Sequence, residues 1–128
     1  MIRLSPAWSH AAERWDRLHP SQPRRVPWVT QQLMKAEGPY VAVTDFMTSV
    51  PDMISRWVPG TWLPLGTDGF GRSDTREQLR RHFEVDHGHV VVAVLSALAR
   101  EDAVKPEAVA DAIARYGIDP EAPPPFAP

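Results

Sequence analysis

The chain of 128 residues is long enough for one ordinary domain and too short for a multidomain enzyme. Its 14 basic and 16 acidic residues give a formal net charge of −2, which argues against nucleic-acid binding, and the lack of cysteine excludes disulfides, thiolate metal sites and cysteine nucleophiles. No stretch approaches the roughly 20 apolar residues of a membrane span and the start lacks a secretory signal, so we expect no membrane association and a cytoplasmic location.

Residues 1–37 are predicted to form two helices joined by a proline-rich connector. Ser5 followed by Pro6 is typical of a helix start, because serine caps free amides and proline fits the first helical position. The apolar stripe of this helix consists of Trp8, Ala11, Ala12, Trp15 and Leu18. A connector over residues 21–27 and a short helix over residues 28–37 follow. For Trp8 and Trp15, contact with another subunit and burial in a core are alternative predictions.

Residues 38–118 are predicted to form an α/β core. The segment from Tyr40 to Thr44 is short, β-branched and apolar on both faces, as in a strand of a buried parallel sheet. A helix capped by Ser49 leads from it to a second strand, residues 61–65, in which Pro64 indicates a sheet edge. The side chains predicted to face inward from this helix are Met53, Ile54 and Trp57. A strand, a helix and a strand in this order predict a parallel pair.

Three more helices and a tail complete the predicted chain. One helix begins after Asp74, and a longer one is capped by Asp86 and ends at Arg100, although its β-branched middle also fits a buried strand. The last helix begins at Pro106. Its predicted inner face consists of Val109, Ala112, Ile113 and Tyr116. Residues 119–128 are half proline and are predicted to form an extended tail.

The loop after the second predicted strand contains the candidate site. Three glycines between Gly66 and Gly71 predict a tight turn at the carboxyl edge of the sheet, where parallel sheets bind ligands. We interpret it as a ligand or interface loop in which Asp68 and Arg72 are exposed. The candidate residues are Asp68, Gly69, Phe70, Gly71, Arg72 and Asp74. The alternative is a turn whose glycines only satisfy backbone geometry. Their order matches neither a dinucleotide fingerprint nor a P-loop.

Two further clusters contain residue types that could form a site, but neither pattern favours one. The arginines in question are Arg72, Arg76, Arg80 and Arg81. They could bind phosphate, but a Glu77 to Arg81 pair one turn apart favours a solvated helix face. The histidines in question are His82, His87 and His89. Their spacing does not suit a zinc site, and no serine nucleophile motif occurs. We therefore predict no catalytic and no metal-binding residue.

Several ordered runs of residues are similar to the carboxyl-terminal domain of the homodimeric pyruvate dehydrogenase decarboxylating component. The runs are Glu13-Arg14-Trp15, Leu18-His19-Pro20, Pro23-Arg24-Arg25-Val26-Pro27, Tyr40 to Met47, Trp57-Val58-Pro59, GTDGFGRSDTR from Gly66, RRHFEVD from Arg80 and VVVA from Val90. The similarity extends from about Glu13 to Ile118. It implies a transketolase-like carboxyl-terminal domain, with a mostly parallel sheet flanked by helices.

The resemblance also implies the reaction of the complete enzyme. That enzyme uses thiamine diphosphate and Mg²⁺ to decarboxylate pyruvate and passes the acetyl unit to a lipoyl group. Its cofactor motif and activating glutamate belong to the two preceding domains, and the residues 67–69 do not match that motif. We therefore expect this chain alone to bind neither cofactor. The partners implied are the remaining domains of the enzyme, a second copy in a homodimer, and the lipoyl acetyltransferase.

One departure from the family bears on the fold. Family members enter this domain through a strand, a helix and a second strand, whereas this chain begins with Met1-Ile2-Arg3-Leu4. We expect a truncated domain in which the Tyr40 strand exposes one edge. The leading hypothesis is a carboxyl-terminal fragment that serves assembly and does no chemistry alone. The alternatives are a separate binding module for a phosphorylated metabolite and a non-functional remnant.

Overall fold

The computed structural model describes residues 6–127, so the predicted cap Ser5 lies outside the described residues. Six helices, two strands and one 3₁₀ turn follow in chain order within them. They are α1 (Pro6–Leu18), α2 (Trp28–Leu33), β1 (Tyr40–Val43), α3 (Ser49–Asp52), the 3₁₀ turn (Ser55–Trp57), β2 (Trp62–Leu65), α4 (Arg76–His82), α5 (His87–Arg100) and α6 (Pro106–Arg115). No helix of this part of the chain has the length and apolarity to cross a membrane.

The two strands form a parallel pair, which confirms the predicted α/β class. Tyr40 lies opposite Trp62 and Val43 opposite Leu65, and α3 with the 3₁₀ turn forms the crossover. The Thr61 carbonyl accepts a hydrogen bond from the Tyr40 amide of β1, and the Leu65 carbonyl accepts one from the Thr44 amide just after β1. Backbone groups alternate in direction along a strand, so Pro64 faces away from β1, and its missing amide is on the outer edge as predicted.

One small core surrounds Trp57, whose side chain is 5% exposed. Val29 of α2 is fully buried, and its amide donates a hydrogen bond of 3.4 Å to the Ser9 hydroxyl of α1. The Trp57 indole donates to Glu13 Oε1 at 3.0 Å, which is the main cause of the lowered pKa of Glu13. These contacts fasten the first two helices to the crossover.

A second core lies between α5, α6 and the strands. Helix α5 packs on both strands and on α6, and Ala97 and Ala112 are buried at these contacts. A Cβ atom on Gly88 would lie 3.0 Å from the Tyr116 ring, so this glycine allows the two helices their close approach. The run Val90–Leu95 is helical, so the strand alternative is wrong.

The predicted caps of the later helices are correct. The carboxylate of Asp86 accepts a hydrogen bond of 3.0 Å from the His89 amide at the start of α5, and α6 begins at Pro106. Gly117 follows α6 with φ +59°, the left-handed conformation expected of a helix stop.

Three local predictions are wrong. The residue before α3 is Thr48, and its side chain makes no capping hydrogen bond, so Ser49 is not the cap. Helix α3 ends at Asp52, and Met53 is 58% exposed instead of facing inward. Helix α2 stops at Leu33, short of the predicted residue 37.

The apolar stripe of α1 is mostly uncovered by the described residues. Ala12 is buried, but Trp8 and Leu18 are exposed. Trp15 lies between the His19 ring, at 4.3 Å, and the Arg25 guanidinium, at 4.0 Å. The two tryptophans of this helix therefore differ, since Trp15 has local partners and Trp8 leaves an apolar surface in solvent.

Candidate functional site

The candidate loop begins where β2 ends, and it is joined to the loop that leaves β1. The Thr67 amide donates to the Phe46 carbonyl at 2.9 Å, and the Thr67 hydroxyl donates to the Asp45 carbonyl at 2.8 Å. Both loops leave the same edge of the sheet because the strands are parallel. The first residues of the candidate loop are thus held by the backbone of its neighbour.

Asp68 has a structural role in this junction. Its Oδ1 accepts the Thr48 amide at 2.8 Å, and its Oδ2 accepts the Thr48 hydroxyl at 2.7 Å. The carboxylate is partly buried, so the prediction that Asp68 is exposed for a partner is wrong. An aspartate that accepts both an amide and a hydroxyl forms a charge-assisted link between the two loops.

Gly66 is required by the same close approach. A Cβ atom at this position would lie 2.5 Å from the Phe46 carbonyl oxygen and 3.0 Å from the Thr48 amide nitrogen. Both atoms belong to the backbone and cannot rotate away. Backbone geometry therefore explains why residue 66 is glycine, as the alternative interpretation of the loop proposes.

The loop from Gly69 to Arg72 differs from this junction because it faces solvent. The Phe70 side chain is 89% exposed. Gly69 has φ +107°, and a Cβ atom there would lie 3.1 Å from the Phe126 Cα and from the Pro125 carbonyl oxygen. The tail therefore returns to this loop, a contact that the prediction of an extended tail does not include.

Helix α4 follows the loop and is capped by Thr75. The Thr75 hydroxyl accepts the Gln78 amide at 3.3 Å, whereas Asp74 accepts only the Thr75 amide, at 2.7 Å. Asp74 thus stands one residue before the cap. It remains within the candidate loop but is not the helix cap that the sequence predicts.

A cleft of 590 Å³ lies between this loop and α4. Its lining includes the polar side chains of Asp45, Thr67, Arg72, Asp74, Arg76 and Arg80, together with Phe70, Leu79, Phe83 and Val85. The Arg72 guanidinium also lies 3.1 Å from His82 Nδ1. The loop and the arginines, which the sequence suggests as separate features, therefore meet at one cleft.

Of the four clustered arginines, Arg81 does not line this cleft. It donates to the carbonyls of Tyr116 and Gly117 at 3.1 and 2.6 Å and lies 3.3 Å from Asp86 Oδ2. Its carboxylate partner among the described residues is therefore Asp86, and the predicted pairing with Glu77 is wrong. Arg81 joins α4 to the end of α6.

Asp86 receives hydrogen bonds from several donors. Burial alone would raise the pKa of this carboxyl, but the His89 amide, the His89 ring at 2.6 Å and Arg81 together lower it below its usual 3.8. The pKa shift therefore reflects a helix cap with an added ion pair. This arrangement stabilises the negative charge, whereas a general acid or base needs a pKa near the working pH.

The three histidines of the sequence pattern are not brought together. His82 lies beside Arg72 and Phe83, His87 contacts the Tyr116 ring, and His89 binds Asp86. In residues 6–127 no three histidine, aspartate or glutamate side chains are grouped to hold a metal ion. The carboxylate of the Gly66–Gly71 loop is already engaged by Thr48. The residues present do not fit a site for a diphosphate and its magnesium ion.

A known family matches the part of the chain that forms the parallel pair, the crossover and the glycine-rich loop. A model of the transketolase-like TK C-terminal domain matches residues 10–86, which include both strands and α4. The chain belongs to this family. The resemblance inferred from the sequence is therefore confirmed for the fold.

Relatives of this family member are named pyruvate dehydrogenase E1 component. The protein of Pseudomonas aeruginosa is 51% identical over 112 residues, which are 87% of this chain and 13% of that protein. The protein of Haemophilus influenzae is 52% identical over 86% of this chain and 12% of its own length. The protein of Escherichia coli is 49% identical over 84% of this chain and 12% of its own length. The chain spans a small part of each relative, and the matched domain is the carboxyl-terminal one.

Proposed function

We propose that this family member assembles with the remaining domains of a pyruvate dehydrogenase E1 component and positions them without doing the chemistry alone. The observation that carries the proposal is the identity of about half the residues over most of this chain, against 13% of the relative's length. In this proposal the chain acts through contacts with the other domains. The structure has two surfaces suited to such contacts.

The first surface is the open edge of β1. The amides of Tyr40 and Thr44 donate to Thr61 and Leu65 of the β2 side at 2.8 and 3.0 Å. Because backbone groups alternate along a strand, the amides and carbonyls of Val41 and Val43 lie on the other edge. Within residues 6–127 the sheet has only these two strands, so this edge is free to pair with another strand.

The second surface is an apolar patch that continues from the end of β1. It consists of Val43, Phe46, Met47, Val50 and Met53, and each of these side chains is between 43% and 70% exposed. Met47, Val50 and Met53 recur every third residue, so they fall on one face of α3 and its flanks. Soluble domains rarely leave so many large apolar side chains uncovered in one segment, and such patches mark protein contacts.

The candidate loop extends this proposed interface. Phe70 at its tip and Arg72 beside it face solvent, as aromatic and arginine anchors of interfaces do. Gly69, Gly71 and Asp74 belong to the exposed part of the loop, whereas Asp68 holds its base to Thr48. We assign the loop to contacts with another domain, and Asp68 to the shape of the loop.

The chemistry belongs, in this proposal, to the other domains. Thiamine diphosphate and Mg²⁺ would be held there, pyruvate would lose carbon dioxide there, and the acetyl unit would pass to the lipoyl acetyltransferase. A homodimer and a cytoplasmic location are part of the same proposal. This chain contributes a contact surface, with no residue assigned to the reaction.

Co-expression tests the proposal. The P. aeruginosa E1 component without its 112 matching residues would be produced together with this chain, each with a different affinity tag. We expect copurification of the two polypeptides and more pyruvate decarboxylation than the shortened enzyme has alone. Absence of both effects would refute the proposal, as would pyruvate turnover by this chain alone with added coenzyme and magnesium.

A matched pair of variants locates the interface. Met53→Glu places a charge in the apolar patch, whereas Met34→Glu places the same charge on a methionine outside it, and the two side chains are 58% and 61% exposed. We expect Met53→Glu to reduce copurification at least tenfold and Met34→Glu to leave it unchanged, because a buried unpaired charge costs several kcal/mol. Equal effects of the two variants would show that the patch is not the interface.

A further inference from the structure

We infer that the cleft between the loop Gly69–Arg72 and α4 binds a small molecule that carries one phosphoryl group on an apolar body. Phe70 and Arg72 line this cleft and also belong to the loop that we propose to contact another domain, whereas none of the side chains of the apolar patch lines it. Variants of Arg76 and Arg80 on α4 therefore test ligand binding, and variants of the apolar patch test domain docking.

The charges of the cleft carry the inference. Arg72, Arg76 and Arg80 line it, and none of them lies within 4.0 Å of a carboxylate of residues 6–127. Two other arginines of the same domain are paired, Arg56 with Glu13 at 2.9 Å and Arg81 with Asp86 at 3.3 Å. Asp45 and Asp74 line the same cleft without pairing with these arginines, so three positive and two negative groups leave a net positive lining that attracts an anion.

The guanidinium groups come from two elements that the structure fixes relative to each other. Arg76 and Arg80 are one turn apart on α4, and Arg72 lies on the loop, with its guanidinium 3.1 Å from His82 of the same helix. Guanidinium groups present forked donors that match phosphate oxygens. Donors from both the loop and the helix could reach one phosphoryl group from two sides.

The remaining lining selects the size and character of the ligand. Phe70, Leu79, Phe83 and Val85 supply apolar and aromatic surface, and 590 Å³ lies within the range of small-molecule sites. The carboxylates of Asp45 and Asp74 also line the cleft and oppose the three arginines. With three arginines and two aspartates, the lining suits a ligand with one phosphoryl group and disfavours a nucleic acid or a polyphosphate chain.

A second cleft shares part of this wall but lacks the same set of groups. Arg76 and Arg80 also border a space of 470 Å³ together with Glu77, Asp86 and His87. That space contains neither Arg72 nor a phenylalanine ring. The larger cleft is therefore the one in which three cations and an aromatic surface meet.

The test uses the full chain and 2-naphthyl phosphate as the probe, with binding followed by titration calorimetry. The comparison compounds are 2-naphthol, which keeps the rings without the phosphoryl group, and 2-naphthoate, which replaces that group with a carboxylate. We expect measurable binding of 2-naphthyl phosphate, and at least tenfold weaker binding of both comparison compounds. Raising the salt concentration should weaken the binding of the phosphate.

Variants of the arginines assign the site. Arg76→Gln and Arg80→Gln should each weaken the binding of 2-naphthyl phosphate about tenfold, because a hydrogen bond to a charged group contributes about 1.5 kcal/mol. Arg14→Gln removes the same charge from an exposed position on α1 and should leave binding unchanged. Each variant is first shown to melt at the wild-type temperature, so that loss of binding is not loss of fold.

Three results would overturn the inference. One is absence of binding by the wild-type chain, and another is equal affinity for the phosphate and 2-naphthoate. The third is equal weakening by Arg14→Gln and the two cleft variants. None of these results depends on whether the chain associates with other domains of an E1 component.

Discussion

The substitution Gly66→Ala tests whether the junction between the two strand-end loops holds the sheet edge together. The added Cβ atom would lie 2.5 Å from the Phe46 carbonyl oxygen, where contacts of a real Cβ atom essentially never fall below 3.0 Å. Relief requires one loop to move. Movement of either loop stretches the hydrogen bonds that Thr67 and Asp68 make, which are now 2.7 to 2.9 Å long.

The expected loss of stability follows from these contacts. Forcing one extra carbon into a packed site costs about 1–3 kcal/mol, and each weakened hydrogen bond adds up to about 1 kcal/mol. We expect Gly66→Ala to lower the free energy of unfolding by about 2–4 kcal/mol. A domain of this size then melts about 8–15 °C lower. That is a large fraction of the stability of an ordinary domain, which is about 5–15 kcal/mol.

Gly71→Ala is the matched control, since it makes the same change five residues later in the same loop. A Cβ atom there meets nothing within 4 Å, and the residue is not among the positive-φ glycines. Thermal unfolding followed by circular dichroism should therefore separate the two variants clearly. A Gly66→Ala protein that melts within about 2 °C of wild type, or an equal loss in Gly71→Ala, would refute the reasoning.

Three further substitutions test other contacts. Asp86→Asn should make the loss of stability in acid less steep, as measured by urea unfolding between pH 2 and 5. The pKa of Asp86 is lowered in the folded state, so the charged carboxylate stabilises the fold fully above about pH 3.8, and this stabilisation is lost as the pH falls through the pKa of the folded state. Gly88→Ala should destabilise by about 1–3 kcal/mol in urea, because its Cβ atom would press on Tyr116 at 3.0 Å. Gly69→Ala should release the tail from the loop, because φ +107° is strained for alanine and the added Cβ atom would lie 3.1 Å from the backbone of Pro125 and Phe126. The release should be measurable as faster proteolysis of the tail.

The parts of the fold that depend on neighbouring residues could be predicted from the sequence. The cap at Asp86, the start of α6 at Pro106 and the outer-edge position of Pro64 each follow from local rules of capping and backbone donors. The parallel pairing of the two strands could also be predicted, because a strand, a helix and a strand in close succession leave few other arrangements.

Two of the errors arose where a distant residue competes for a side chain. Thr48 stands before α3 without capping it, because its hydroxyl binds Asp68, twenty positions away along the chain. The same bond buries the carboxylate that a turn-based interpretation leaves exposed. Arg81 likewise bonds to the end of α6 and to Asp86 instead of to Glu77 on its own helix. Local periodicity carries no information about such partners.

The candidate cleft could be predicted only in part. The glycine spacing indicated a loop at the carboxyl edge of the sheet, whereas the arginine spacing favoured a solvated helix face over a phosphate site. Their convergence with Phe70 and Phe83 depends on the angle between the loop and the helix. The return of Pro125 and Phe126 to Gly69 had no signal in the sequence, because proline-rich segments are extended whether or not they contact a surface.

The return of Pro125 and Phe126 to the loop decides where a label should be attached. A fluorescent dye beside Phe126 would lie close to the glycine-rich loop, where it would obstruct the cleft. A dye on α1 would lie on a helix that contacts α2 and the crossover. Labels for ligand titrations therefore belong on α1, and a dye beside Phe126 becomes a reporter of motion in the loop itself.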